Sequence, residues 1–273
     1  MNITEPIFGS MNYSEYIPGH LPLIISIPHG GQLFPPEIPD RKKSHPSVVK
    51  SNDLNTQDIG RELADKIMVH FKGKRPYLVI NNLGRSKIDV NRSIKEGVEG
   101  KDSITLVAWN DYHNFIKTAI KDVETSFGHG LLIDIHEHFI EIGYTLSAET
   151  LSYSTSQINE NPEIYSGSSI QALYNRKSNS IQFADLIYGK TTSLGGRLQS
   201  YGYDTIPSHI HKHPLKDEKY FRGGYCVQIY GSRYAEHVID AIQIEYVLTL
   251  IHSVYTINNA ALCSAKDPGP RSI

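Results

Sequence analysis

Leu23-Ile24-Ile25-Ser26-Ile27 is a short apolar run closed by Pro28, His29 and two glycines. Its length and abrupt stop predict a buried strand that runs into a loop. Over residues 57–71 the apolar side chains Ile59, Leu63, Ile67 and Phe71 recur at every fourth position. That spacing predicts an amphipathic helix. Residues 77–80 read as a second strand. Between 109 and 127, Tyr112, Phe115, Ile116, Ala119, Ile120 and Val123 form the stripe of a second long helix, and Gly128 suits its end. The continuous apolar run 131–135 predicts a third strand, in a sheet covered on both faces. Residues 193–200 read as helical, ending near Gly202. Residues 236–255 read as a final helix with Val238, Ile242, Thr249 and Leu250 on one side. Strands alternating with helices predict an α/β domain with a largely parallel sheet.

Two stretches break the alternation. Residues 145–180 are rich in Ser, Asn, Thr, Gln and Tyr and poor in aliphatics. They read either as a long surface excursion or as a wall or lid of an active site, since long loops in compact domains tend to be functional. Residues 264–273 read as a loose tail. No repeat or linker divides the chain, so 1–273 is read as one domain.

Composition narrows the function classes. The 273 residues are 39% hydrophobic and 21% charged, enough to bury a sizeable core. Basic and acidic residues nearly balance, 27 against 29, leaving no large field to attract nucleic acid or an anionic membrane. No apolar run approaches the roughly 20 residues of a membrane span. The apolar run near the start lacks the basic flank of a signal peptide. Two cysteines, Cys226 and Cys263, do not make a disulfide framework, so a cytoplasmic location is expected. The unusual count is 13 histidines, the commonest metal ligands and frequent acid/base groups.

Four places concentrate chemistry. His29 follows the first predicted strand, and ligands of open α/β sheets bind beyond the carboxyl ends of strands. The plainer alternative is a turn with an incidental histidine. Asp134-Ile135-His136-Glu137-His138 ends the third predicted strand. His136 and His138 alternate on one side there, as two zinc ligands can, and Asp134 could orient a ligand from behind. The alternative is a polar strand end facing solvent. Gly84 to Arg92 carries Arg85 and Arg92, whose guanidinium groups suit carboxylates or a developing oxyanion. The alternative is ordinary surface salt bridging, which is how most arginines are used. Glu245 lies on the largely apolar face of the predicted last helix, where burial would raise its pKa toward the range of a general base. A glutamate paired at the edge of that stripe is the alternative. Asp53 or Thr56 caps the first helix, or Asp53 ligates a metal. His209-Ile210-His211-Lys212-His213 has metal-tract alternation but reads better as an exposed loop. Cys226 reads as a buried inert thiol. The serine-nucleophile elbow, the phosphate-binding loop and the helical H-E-x-x-H zinc motif are absent from the sequence.

Taken in order, these segments resemble the N-formylglutamate amidohydrolase family. The matching pieces are Ile27-Pro28-His29-Gly30-Gly31, Asn52-Asp53 with Thr56, Asp89-Val90-Asn91-Arg92, Ile133-Asp134-Ile135-His136, Gly223-Gly224-Tyr225 with Tyr230-Gly231, and Gln243-Ile244-Glu245. The family is similar to zinc carboxypeptidases and aspartoacylase. The resemblance therefore implies a three-layer α/β/α fold around a mostly parallel, mixed central sheet. It implies one zinc per chain held by His29, Asp53 and His136, with an open position for water. Arg85 would match the arginine that polarises the scissile carbonyl, and Glu245 the general base. Asn91 and Arg92 would match the pair that grips a substrate carboxylate. Arg222 is the candidate for a second carboxylate. His138 is a departure from the pattern, as a fourth ligand or a substrate contact. Gln32 stands where the carboxypeptidase pattern puts its glutamate ligand, so the carboxylate must come from elsewhere. The implied activity is zinc-dependent hydrolysis of an N-acyl amino acid such as N-formyl-L-glutamate, a small molecule with a free carboxylate. The alternatives are a carboxypeptidase-like metallopeptidase or other deacylase, and a non-enzymatic metal-binding module using the 209–213 tract.

Overall fold

The computed structural model describes residues 5–42, 48–98, 103–137 and 141–246. His138, Cys263 and the tail 264–273 lie outside these residues. Seven strands form one mixed sheet: β1 (Ile7–Phe8), β2 (Ser14–Ile17), β3 (Leu23–Ile27), β4 (Tyr77–Asn81), β5 (Gly130–Glu137), β6 (Glu141–Gly143) and β7 (Ile239–Tyr246). Their order is β1-β2-β4-β3-β5-β7-β6. The four central strands, β4, β3, β5 and β7, run parallel. Antiparallel strands close both sides, β1 and β2 on one and β6 on the other.

Alternation along each strand sends apolar side chains to both faces. Ile24, Val79, Leu132, Ile239 and Ala241 meet Ala108, Tyr112, Ile116, Ala119 and Val123 of one long helix. Ile25, Ile27, Leu78, Ile80 and Ile135 meet Ala64, with Ile59, Leu63 and Ile67, of another. These two helices are the third and first of the chain: α1 (Thr56–His70), the single-turn α2 (Ile94–Gly97) and α3 (Ser103–Phe127). The result is the three-layer α/β/α arrangement. Burial of the parallel strands on both faces is the usual condition for such a sheet.

Two expectations from the sequence are corrected. The first concerns 145–180, read as a surface excursion or an active-site wall or lid; it is a layer of short helices packed on the sheet. It folds into α4 (Ala148–Leu151), α5 (Thr155–Glu160), α6 (Pro162–Ser166) and α7 (Gln171–Lys177), followed by α8 (Phe183–Tyr188) and α9 (Leu194–Ser200). Each turn sends one or two apolar side chains inward, among them Leu151, Ile158, Ile164 and Phe183. They pack under Ile142 and Ile242 of the sheet. Helices this short show no sustained period, so their few aliphatics look isolated in the sequence. Their starts carry local signals: Ser147 caps α4, Ser154 and Gln157 form a reciprocal capping box on α5, and Asn161-Pro162 opens α6.

The second correction concerns 236–255. Its described part leads into the strand β7 from Ile239 and contains no α-helix. β7 is buried on both sides, so its apolar residues run almost continuously, and the four-residue spacing of Val238 and Ile242 imitates a helical stripe. Thr249 and Leu250 lie outside the described residues. α3 begins at Ser103, before the apolar stripe read from 109 onward. The remaining helix, α10 (Tyr225–Tyr230), packs Cys226, Val227 and Tyr230 beside α3.

Candidate functional site

The face covered by α3 changes character along each central strand. β5 presents Leu132, then Asp134, then His136; β7 presents Ala241, then Gln243, then Glu245. Ser26 follows Ile24 on β3. The register sets Ser26 beside Asp134, Asp134 beside Gln243, His136 beside Glu245, and Glu245 beside Glu141 of β6. An apolar floor thus becomes a row of acids and a histidine at the carboxyl ends, where the loops after β3 and before α1 arrive.

Those loops bring His29 and Asp53. The backbone of Asp53 donates to the carbonyl of His29 at 3.1 Å, and Asn52 Nδ2 donates to the carbonyl of Gly31 at 2.6 Å. Gly31 is needed for the close passage, because a Cβ there would lie 2.3 Å from the carbonyl oxygen of Leu83.

Three side-chain atoms converge. His29 Nδ1 lies 3.1 Å from both Asp53 Oδ2 and His136 Nδ1, and His136 Nδ1 lies 2.9 Å from the same Oδ2. The far nitrogen of each ring faces a buried carboxylate: His29 Nε2 to Asp89 Oδ1 at 2.7 Å, and His136 Nε2 to Asp134 Oδ2 at 2.9 Å. The Asn91 amide nitrogen is also 2.9 Å from His136 Nε2. A bond to a charged group is about twice as strong as a neutral one, so the Nε2 proton faces Asp134. Protons held on both Nε2 atoms leave two Nδ1 lone pairs and one carboxylate lone pair aimed at one point. A tetrahedral ion about 2.0–2.1 Å from its ligands would separate them by roughly 3.3 Å. Two imidazoles and a carboxylate, each ring braced from behind by an acid, fit a divalent cation of the zinc type. Among the described residues this is the one such group of histidine, cysteine and acid side chains. The 209–213 tract instead forms a loop exposed from Ile210 to His213, with His209 half-buried, where His211 pairs with Asp204 at 3.1 Å.

The electrostatics agree with a cation's place. Burial alone would raise the Asp53 carboxyl, but hydrogen bonds from His136 and His29 hold it well below the usual carboxylate range. Burial would lower the His136 imidazole, yet Asp134, Asp53 and Glu245 together push it up to about 10. With no ion between them, these groups keep a proton there. Asp89 is held low against the pull of burial by His29, Arg85 and Arg92.

A cavity of about 550 Å³ opens above the triad. Arg85, Asn91, Arg92, Arg222 and Glu245 all line it, so the structure gathers the described sequence candidates into one place. Their engagement differs. Arg85 donates from Nη1 to Asp53 and from Nε to Asp89, each at 3.1 Å. Arg92 Nη1 donates to the carbonyl of Asn91 at 2.8 Å, and neither Arg92 nor Arg222 forms an ion pair among the described residues. Asn91 Oδ1 accepts from the backbone of Cys226 at 2.8 Å, which ties it to α10. Glu245 is buried and accepts from Gln243 Nε2.

Five further residues support these groups. Asp89 is legible only as part of the segment holding the arginines. Gln243 accepts from the backbone of Gly224, and Glu141 accepts from that of Phe221 at 2.8 Å, so both pin the loop bearing Arg222. Burial, with Glu245 opposite, raises Glu141 to about 7, although the Phe221 N–H works against the shift. Tyr112 reaches Ser26 at 2.7 Å, and Ser26 donates to Asp134 at 2.6 Å.

No family model and no curated protein matches the chain. Among solved structures, the crystal structure of N-formylglutamate amidohydrolase from Ralstonia eutropha JMP134 is similar to it. That similarity covers 85% of this chain and 83% of the other, with 13% sequence identity and a TM-score of 0.48.

Proposed function

We propose that this chain is a metal-dependent amidohydrolase that cleaves the linear amide bond of an N-acyl amino acid bearing a free carboxylate. N-formyl-L-glutamate, yielding formate and L-glutamate, is the first substrate to test. The observation that carries the reading is the convergence of the His29, Asp53 and His136 lone pairs, with a buried carboxylate and two arginines that form no ion pair among the described residues lining the same cavity.

One zinc per chain, bound by those three residues, would lower the pKa of a bound water to about 7 and polarise the carbonyl. Glu245 takes the proton from the water that adds to the acyl carbon. The same carboxyl then delivers that proton to the amine nitrogen as the C–N bond breaks. The products are the acid and the free amine. Arg92, beside Asn91, holds the α-carboxylate and fixes the scissile bond over the triad, which replaces a costly encounter with a held geometry. Arg222, which lines the same cavity, takes a second carboxylate on the substrate side chain. The reading includes a cytoplasmic enzyme, supported by the free buried thiol of Cys226. No helix among the described residues is long and apolar enough to cross a membrane.

The cavity favours a second reading of the substrate. Its volume of about 550 Å³ falls in the range that holds drug-sized ligands. A deacylase of bulkier N-acyl amino acids, or a carboxypeptidase-like peptidase, would use the same residues with more of that space.

The test is hydrolysis of N-formyl-, N-acetyl- and N-benzoyl-L-glutamate and of short peptides, with bound metal counted before and after chelation. Turnover of the formyl substrate in proportion to one zinc per chain supports the first reading. Turnover confined to the larger substrates supports the second. One bound metal without turnover of any of them points to the binding module, and neither metal nor turnover in zinc-supplemented buffer overturns all three.

A further inference from the structure

Within that reading of the site, we infer that Arg85 is a positioning residue: it clamps the metal-binding carboxylate and the acid behind His29 into one frame and leaves the substrate carbonyl to other groups. The guanidinium is nearly buried and spans two carboxylates, Asp53 Oδ1 through Nη1 and Asp89 Oδ2 through Nε, both at 3.1 Å. These two acids do different work. Asp53 presents its other oxygen, Oδ2, to both histidine Nδ1 atoms. Asp89 presents its other oxygen, Oδ1, to His29 Nε2. One planar cation therefore fixes the rotation of a metal ligand and of the acid that sets the tautomer of a second ligand. A guanidinium fork has the geometry for this, and a lysine ammonium, a point charge, does not.

The clamp is itself held. The Arg85 backbone N–H donates to Asn52 Oδ1 at 2.8 Å, beside Asp53 in the chain. Its carbonyl accepts from Arg41 Nε at 3.1 Å, and Arg41 Nη2 stands 3.6 Å from Asp89 Oδ2. The three segments that meet here, 29–31, 52–53 and 85–91, are separated by 20 residues or more in the chain.

Charge separates the roles of the arginines. Arg85 already engages two carboxylates through Nη1 and Nε, which weakens the stabilisation it could give to an oxyanion. Arg92 and Arg222 line the same cavity with no ion pair among the described residues, so their charge is available to a substrate.

The experiment compares wild type, Arg85→Gln and Arg85→Lys. Zinc affinity is measured by competition with a chromogenic chelator, and kcat and KM are measured at saturating zinc. Circular dichroism melts establish that each variant is folded. The frame predicts a roughly 10- to 100-fold loss of zinc affinity in Arg85→Gln, the usual effect of removing a group that orients metal ligands. Arg85→Lys should lose less, since an ammonium can serve one of the two acids, and this variant carries the test if the glutamine variant does not fold. At saturating zinc, kcat should fall less than affinity does. Wild-type zinc affinity together with a large loss of kcat in either folded variant would overturn the inference and return Arg85 to the carbonyl. Zinc binding by wild type without turnover of any substrate would defeat the hydrolase reading and still leave the frame to be judged by affinity. Wild type that binds no zinc would overturn both.

Discussion

Asp134→Asn tests the tautomer logic of the triad at a single atom. Asp134 is fully buried and takes two hydrogen bonds: from the Ser26 hydroxyl to Oδ1 at 2.6 Å, and from His136 Nε2 to Oδ2 at 2.9 Å. The Ser26 hydroxyl has one hydrogen. Because it goes to Asp134, the neighbouring Tyr112 hydroxyl must be the donor in its 2.7 Å contact with Ser26. An asparagine at 134 keeps its oxygen toward Ser26 and turns its NH₂ toward His136. The imidazole then moves its proton to Nδ1, where a metal needs a lone pair. Rotating the amide restores His136 but leaves the buried Ser26 donor facing NH₂. Either way one buried polar group goes unsatisfied or one ligand is masked, at about 1–3 kcal/mol. With tenfold per about 1.4 kcal/mol, zinc affinity should fall by roughly 10- to 100-fold. The assay is zinc competition against a chelator, with a thermal melt showing that the variant is folded. A folded Asp134→Asn protein that binds zinc within about twofold of wild type, well inside the smallest loss worked out above, would refute the assignment of Nδ1 as the ligand atom and Asp134 as its keeper.

Three further outcomes follow from the same geometry. Glu245→Gln should keep its zinc and lose roughly 10²–10⁴ in kcat, the usual worth of a general base, so a fully active variant removes Glu245 from the mechanism. Zinc binding near pH 8 should release about two protons: one from His136, which is raised to about 10 and protonated in the metal-free protein, and one from a bound water whose pKa would fall to about 7. Calorimetry in buffers of different ionisation enthalpy reads the number, and a buffer-independent enthalpy contradicts it. The sign of the same shift means that its contribution to metal-free stability is full below about pH 6.5 and is lost as pH rises toward 10. Phe183→Ala should cost about 3–5 kcal/mol, since Phe183 is fully buried under α5–α7. A loss under about 1 kcal/mol, read from denaturant midpoints, would mean that the 145–188 helices are a loose cover after all.

Where periodicity is long and local, the sequence alone was enough. α1 and the stripe of α3 come from apolar residues three and four apart, and β3, β4 and β5 from short apolar runs with sharp ends. The candidate residues were legible for a related reason: His29 and His136 sit where predicted strands stop, and Asp53 just ahead of a predicted helix. The failures share a cause too. β7 is covered on both faces, so its pattern does not separate a strand from a helix, and only pairing with β5 and β6 decides it. The 148–177 helices are too short to show a period, and they hold their shape because the sheet beneath them accepts one side chain from each turn.

The chemistry of the site is the clearest division between the two levels. Residue types and order nominate histidines, acids and arginines, and they cannot say which acid stands behind which ring or which arginine is already paired. Those facts depend on contacts between segments tens of residues apart: Asp89 with His29, Arg85 with Asp53, Glu141 opposite Glu245. Hydrogen bonds and ion pairs act over about 3 Å in space and are blind to distance along the chain. The sequence therefore determined which groups are present at the ends of the strands, and the folded sheet alone decided which lone pairs, protons and charges face each other.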